Sequence, residues 1–348
     1  MAGKSQARRR LADTPETARG NRRGLTASPD PPRPEHPPTM RLPHPVPPTG
    51  LLRLLTLSAG LLLGSAGAAA ATGKLLLTGG VSSIDGAAGG GLTPWAVIGS
   101  NATAGQWGAT AFVTRVTTQD HRLTVAGAAL AWDERAELSL ARQDFSTGAT
   151  GTALGLPGLR LRQDIVGAKL HLAGDAVLDA DRWQPAIALG IELKRLDAGG
   201  LAPTLAALDA ARRGTDVYLS ATKLLLAQGL LLNGTLRATR ANQNGLLGFG
   251  GAAHTAHGGW RLQPELSVAW LLHRTLAVGA EYRAKPDNLN PSALGAGLKE
   301  DDWKDLFIAW APSKHLSVTA AWVDLGAIVP AVQPRRQTGA YLSLQLAI

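Results

Sequence analysis

His315 and Ser317 stand two residues apart, a spacing that puts both side chains on one face of a strand. A serine beside a histidine is the start of hydrolase chemistry. It needs a third group to orient the imidazole and a site for the oxyanion. No acid or amide partner is evident nearby, and the pair falls near a strand end, so no enzyme is expected. His254 and His257 lie at i and i+3 in a predicted loop, without carboxylate or cysteine support, and no metal site or cofactor is expected there. The glycine-rich stretch Thr78 to Gly99 lacks the Gly-Lys-Ser/Thr of a phosphate loop and has no strand-to-helix setting.

A second group of residues offers electrostatics rather than catalysis. Glu137, Lys169, Glu192, Lys194, Arg237, Arg261, Glu265, Glu281 and Arg283 all fall on the polar face of alternating segments. Facing a lumen, they would tune ion passage as a ring of charge. Their mixed signs equally allow pairing across neighbouring strands, which would simply fill the interior. Either way they need a barrel to bring them together.

The elements that could do so are short. About twelve segments of period-two character run near 107–118, 121–132, 134–145, 160–173, 182–195, 215–227, 230–240, 259–271, 273–284, 302–311, 313–323 and 337–348, the length of tilted membrane strands. In the fifth, Ile187, Leu189, Ile191 and Leu193 alternate with Ala188, Gly190, Glu192 and Lys194; the first, fourth and sixth are less regular. A soluble sandwich also alternates, so the connections carry more weight. Joins after even-numbered segments are tight, apart from a modest one at 174–181, and joins after odd-numbered ones are long, except between Thr118 and His121. That is the asymmetry of periplasmic turns and outer loops. Trp107, Trp132, Trp183, Trp260, Trp270, Trp303, Trp310 and Trp322 lie near segment ends, as an interfacial girdle requires; Trp95 lies outside the segments. In the last segment Ala340, Leu342, Leu344, Leu346 and Ile348 share one face, an insertion strand ending in Ile348 where an aromatic residue is usual. The expected fold is an all-β, up-and-down transmembrane barrel of about twelve strands over 107–348.

The front of the chain reads differently. Residues 1–39 are rich in Arg and Pro and lack periodicity, a disordered or mis-annotated extension with Met40 as the true start. Residues 40–71 combine basic Arg41 and Arg53, an apolar run from Leu54 to Leu63 and an alanine-rich tract, the pattern of a cleaved signal peptide. Residues 72–106 form a glycine-rich segment that either plugs the lumen or leads in from the periplasm. Residues 1–71 hold ten Lys/Arg and four Asp/Glu, so most of the net charge of +9 belongs to the leader, and a nucleic-acid partner is not implied. The absence of cysteine excludes disulfides and thiolate metal sites.

Gly73 to Gly86 (GKLLLTGGVSSIDG), running into Gly89 to Trp95 (GGGLTPW), together with Glu137 to Gln143, Leu231 to Leu236 and Glu281 to Leu289, resembles an uncharacterised proteobacterial family catalogued as domain of unknown function 3034. The resemblance covers 73–348. It implies an exported outer-membrane-like protein and brings no functional residues with it. The leading expectation is a monomeric, porin-like passive channel for small solutes in the bacterial outer membrane, its partners being membrane lipid and the barrel-insertion machinery. The runner-up is a structural or envelope-interaction barrel with a blocked lumen, and the third a membrane-embedded hydrolase. An outer loop from Leu201 to Arg213, with Leu201, Leu205 and Leu208 at helical spacing, is either a lid or a plain surface helix.

Overall fold

The computed structural model describes residues 74, 76–177, 182–251, 259–291 and 297–348. Two short strands, β1 (Val81–Ser82) and β2 (Ala88–Gly89), pair as a small hairpin. The barrel follows as β3 (Trp107–Thr118), β4 (Arg122–Trp132), β5 (Ala136–Ser146), β6 (Arg160–Ala173), β7 (Ala186–Asp197) and β8 (Arg213–Leu225). It continues with β9 (Leu230–Thr239), β10 (Arg261–His273), β11 (Leu276–Arg283), β12 (Trp303–Ser313), β13 (Leu316–Asp324) and β14 (Thr338–Ala347). Each strand pairs antiparallel with its sequence neighbours, and β14 closes on β3, so the twelve strands leave no free edge.

The strands stand close to where the alternation puts them. The largest shift is β7, which starts at Ala186 rather than 182 because Pro185 has no N–H for the ladder. Outward positions along the middle of the wall and toward the tight-turn end are mostly apolar, as in β14, where Leu342, Leu344, Leu346 and Ile348 are exposed and Tyr341, Ser343 and Gln345 are buried. On the inner face three aromatic rings lie over glycines directly across the ladder: Phe112 on Gly127, Tyr218 on Gly190 and Phe307 on Gly279. A side chain on those glycines would collide with the rings, which fill the wall in its place.

The two ends differ. Tight turns at one end join β4–β5, β8–β9, β10–β11 and β12–β13, where only the β6–β7 connection at 174–185 is longer; the other long connections emerge at the opposite end, where β3–β4 alone is short. That exception is pinned to the last long loop: Gln337 accepts from Thr118 and from the Asp120 N–H, and donates to the Asp120 carboxylate. Two short helices, α1 (Gly148–Ala153) and α2 (Ala202–Ala207), lie in the long connections. Leu201 and Leu205 are buried in one cluster with Leu246, Leu289, Leu298 and Ile328, with Leu208 packed against it, so the helix at 202–207 covers the barrel mouth.

Of the eight girdle tryptophans, seven are exposed, with Trp107 and Trp132 stacked across the ladder at 6.0 Å. Trp303 is a correction. It is 4% exposed, because its register in β12 turns it inward, where Lys285 Nζ lies 4.7 Å over its ring.

Candidate functional site

Every residue from 81 to 100 is buried, and the barrel interior is what buries them. The segment enters at the tight-turn end, where Lys74 Nζ donates to the Ile98 carbonyl at 2.6 Å. It rises to a tip at Ile84–Asp85 and returns to the same end, where Asn101 Nδ2 donates to the Lys314 carbonyl at 2.7 Å. Glycine is needed along this path for close approach. A Cβ on Gly90 would run into the Glu281 carboxylate, and one on Gly89 into the backbone of Thr93 and Trp95.

The wall holds the backbone of this hairpin with charged side chains. Glu137 accepts the Ala88 N–H at 2.9 Å and the Gly99 N–H at 2.7 Å, so one carboxylate ties together two separate stretches of the returning limb. Lys169, paired with Glu137 at 3.3 Å, donates to the carbonyls of Ala88 and Val97 at 2.7 and 2.8 Å. Glu281 accepts the N–H groups of Leu92 and Thr93 at 2.8 and 3.2 Å, and the hydroxyls of Thr93 and Ser267 at 2.6 and 2.9 Å. The Pro94 carbonyl takes the Thr235 hydroxyl at 2.9 Å, and Trp95 donates its indole N–H to Ser267 at 3.0 Å. Buried backbone groups far from any sheet ladder are satisfied in this way.

At the tip the contacts change character. Asp85 pairs with Arg283 at 2.6 Å and Lys194 at 3.4 Å, and accepts from Asn244 at 2.7 Å and Gln143 at 3.2 Å. Burial alone would raise its carboxyl, but Lys194, Arg283 and Arg237 outweigh that and hold it well below the usual carboxylate range. The network extends through Lys194–Asp216 at 2.9 Å, Arg237–Glu192 at 2.8 Å, Arg237–Glu265 at 2.5 Å and Arg283–Glu265 at 2.9 Å. Four acids thus meet three bases with almost no water contact.

Above the tip, the turn Asn242–Gly245 of the β9–β10 connection folds down into the mouth. Gln243 and Asn244 have φ of 45° and 60°, a left-handed conformation that costs non-glycine residues energy. Glu300 holds the turn by accepting the Gln243 N–H at 2.9 Å, and Lys285 donates to the Gln243 side chain at 2.5 Å. Burial raises Glu300 to about 7 against the opposing pull of Lys285, and burial lowers Lys285 to about 8.

Eight of the nine candidate lumen charges are therefore buried together. Arg261 is a correction: it is exposed at the first position of β10, beyond the depth where the wall encloses a side chain. Asp85, Asp216, Lys285, Glu300 and Asp305 escaped the sequence reading. Asp216 and Asp305 sit at inward positions of β8 and β12 and were findable by alternation; Asp85 was not, since its role depends on where the tip ends. His315 lies exposed in the turn before β13, donating Nδ1–H to the Ala347 carbonyl at 2.8 Å, while the Ser317 hydroxyl has no partner among the described residues. The two do not meet. His254 and His257 lie outside the described residues.

Among solved structures the chain is similar to the KdgM porin, at 8% identity over 68% of this chain and 98% of that one, TM-score 0.41. It is similar to an outer-membrane channel from Pseudomonas putida F1, at 11% identity over 71% and 96%, TM-score 0.39. Outer membrane phospholipase A from Escherichia coli is similar at 9% identity over 68% and 89%, TM-score 0.36. No curated protein matches. Residues 78–345 match the family described as protein of unknown function (DUF3034), and the chain belongs to that family.

Proposed function

We propose that this protein is an exported outer-membrane barrel whose lumen is shut, in its resting form, by its own residues 81–100. The carrying observation is the Glu137–Lys169 pair, which binds the segment's returning limb at Ala88, Val97 and Gly99 through four backbone hydrogen bonds. The apolar exterior with tryptophans at its rims supports membrane residence. In this reading residues 40–71 are the cleaved leader, and Leu342, Leu344, Leu346 and Ile348 are what the insertion machinery reads.

A gated passage for small solutes is the second reading, favoured by one feature. The hairpin enters and leaves by the same end, so it can withdraw without threading the barrel. A hydrolase finds no support in the separated His315 and Ser317. Planar-bilayer recording tests the proposal. Folded wild-type protein is expected to give no steady conductance, and Glu137→Ala/Lys169→Ala to give discrete steps. Steady wild-type current would overturn the sealed resting state.

A further inference from the structure

The outward faces of β3 to β8 change abruptly from aliphatic to charged toward the long-loop end. In β5 the outward series runs Leu138, Leu140, Arg142, Asp144; in β6 it runs Leu170, Ala168, Val166, Asp164, Arg162, Arg160; in β7, Ile191, Leu193, Arg195, Asp197. Arg115 of β3, Arg122 of β4 and Arg213 of β8 complete the belt. The ladder makes it continuous from β5 to β8: Arg142 stands opposite Asp164, Asp164 opposite Arg195, and Arg195 opposite Arg213, while Asp144 stands opposite Arg162 and Arg162 opposite Asp197. Seven arginines thus face three aspartates, a surplus of four positive charges.

Three of the arginines are occupied: Arg142 by Asp164 at 2.6 Å, and Arg160 and Arg162 by Asp144 at 2.7 and 3.5 Å. Arg115, Arg122, Arg195 and Arg213 make no ion pair among the described residues. Across the barrel, β9 to β14 carry no such belt. There the outward residues at the same end include Leu262, Pro264 and Trp322, and Lys304 stands opposite Asp324. The patch begins along a line where the outward aliphatics end, which puts it at the edge of the apolar band. A planar guanidinium placed at the interface matches a phosphate oxygen pair.

We propose that this one-sided belt binds phosphorylated lipid headgroups of the leaflet around the long loops, with Arg115, Arg122, Arg195 and Arg213 as the free phosphate ligands. The inference rests on the outer-membrane reading. The test titrates full-length, folded protein in neutral detergent with bisphosphorylated lipid A, chemically dephosphorylated lipid A and inorganic phosphate, read by native mass spectrometry. Binding of the bisphosphorylated lipid is expected to be roughly tenfold or more tighter than that of the dephosphorylated form. Arg115→Gln/Arg122→Gln/Arg195→Gln/Arg213→Gln should lose that preference, and Lys304→Gln on the opposite face should keep it. Heat-modified gel mobility checks that each variant is folded; should the quadruple variant fail to fold, Arg195→Gln/Arg213→Gln replaces it, with a partial loss expected. Equal affinity for the two lipids, an unchanged folded variant, or capture of inorganic phosphate as tightly as lipid each overturns the proposal. Cell fractionation separates the two failures. Protein found outside the outer membrane sinks the location, and outer-membrane protein indifferent to lipid phosphate sinks the belt.

Discussion

The hairpin inside the barrel is held in two ways. Toward the tight-turn end the wall addresses its backbone: Glu137, Lys169 and Glu281 bind N–H and carbonyl groups of residues 88 to 99. At its tip the contacts centre on one side chain, Asp85, held by Arg283, Lys194 and Gln143 of the wall and Asn244 of the mouth turn, with Gln143 also donating to the Ile84 carbonyl. Backbone clamps read conformation and tolerate any sequence that follows the same path, provided glycine stands where the path runs against the wall. The tip contacts demand one carboxylate at one position. The lower region therefore sets the shape of the segment, and the upper region sets how far it reaches.

Loss of the Asp85 carboxylate should weaken the tip most. Asp85→Ala leaves Arg283 and Lys194 short of a buried counter-charge and is expected to cost about 3–5 kcal/mol in denaturant unfolding from micelles, whereas Asp85→Asn should cost less. Glu137→Ala removes two acceptors and strands Lys169, for an expected loss of about 2–4 kcal/mol. Because the chain has no cysteine, Ala88→Cys then reports release of the hairpin through its rate of thiol labelling, which should rise in the Glu137→Ala background. Labelling that stays slow would mean the tip alone holds the segment.

Gly90→Val tests the close approach. Its side chain would meet Glu281, with an expected cost of about 1–3 kcal/mol and faster thiol labelling when combined with Ala88→Cys. The smallest effect is that of pH at the mouth. Glu300 is raised to about 7, so the folded mouth holds that proton more tightly than an open chain, and stability falls as pH rises from the ordinary carboxylate range through about 7. Lys285 is lowered to about 8, so stability recovers as pH rises from about 8 toward the ordinary lysine range. Hydrogen exchange at the Gln243 amide, corrected for its intrinsic rate, should be fastest between about 7 and 8. A flat profile would show that the turn is held by packing instead.

Much of the wall was legible from residue order. Alternation places Leu189, Ile191 and Leu193 outward and Glu192 and Lys194 inward because successive side chains of a strand point to opposite faces, whatever the neighbours are. The same rule, applied at the first residue of β12, would have turned Trp303 inward; its position near a segment end was the weaker signal. Arg261 failed for the opposite reason: its parity is inward, but it stands where the wall no longer surrounds it. Period two was therefore decided locally, and with it the strands, their apolar outer side and the asymmetry of the connections.

The occupant of the lumen was decided elsewhere. Ser82 meets Gln345, and Asp85 meets Arg283, across most of the chain, and no spacing rule connects such partners. The glycine-rich stretch has no period of its own, so plug and lead-in were equally consistent with it. Only closure of β14 on β3 brings Glu137, Lys169 and Glu281 around one volume, where buried backbone polar groups must find partners. Strand character is a property of neighbouring residues. What fills a barrel is a property of the closed surface, which exists once all twelve strands have met.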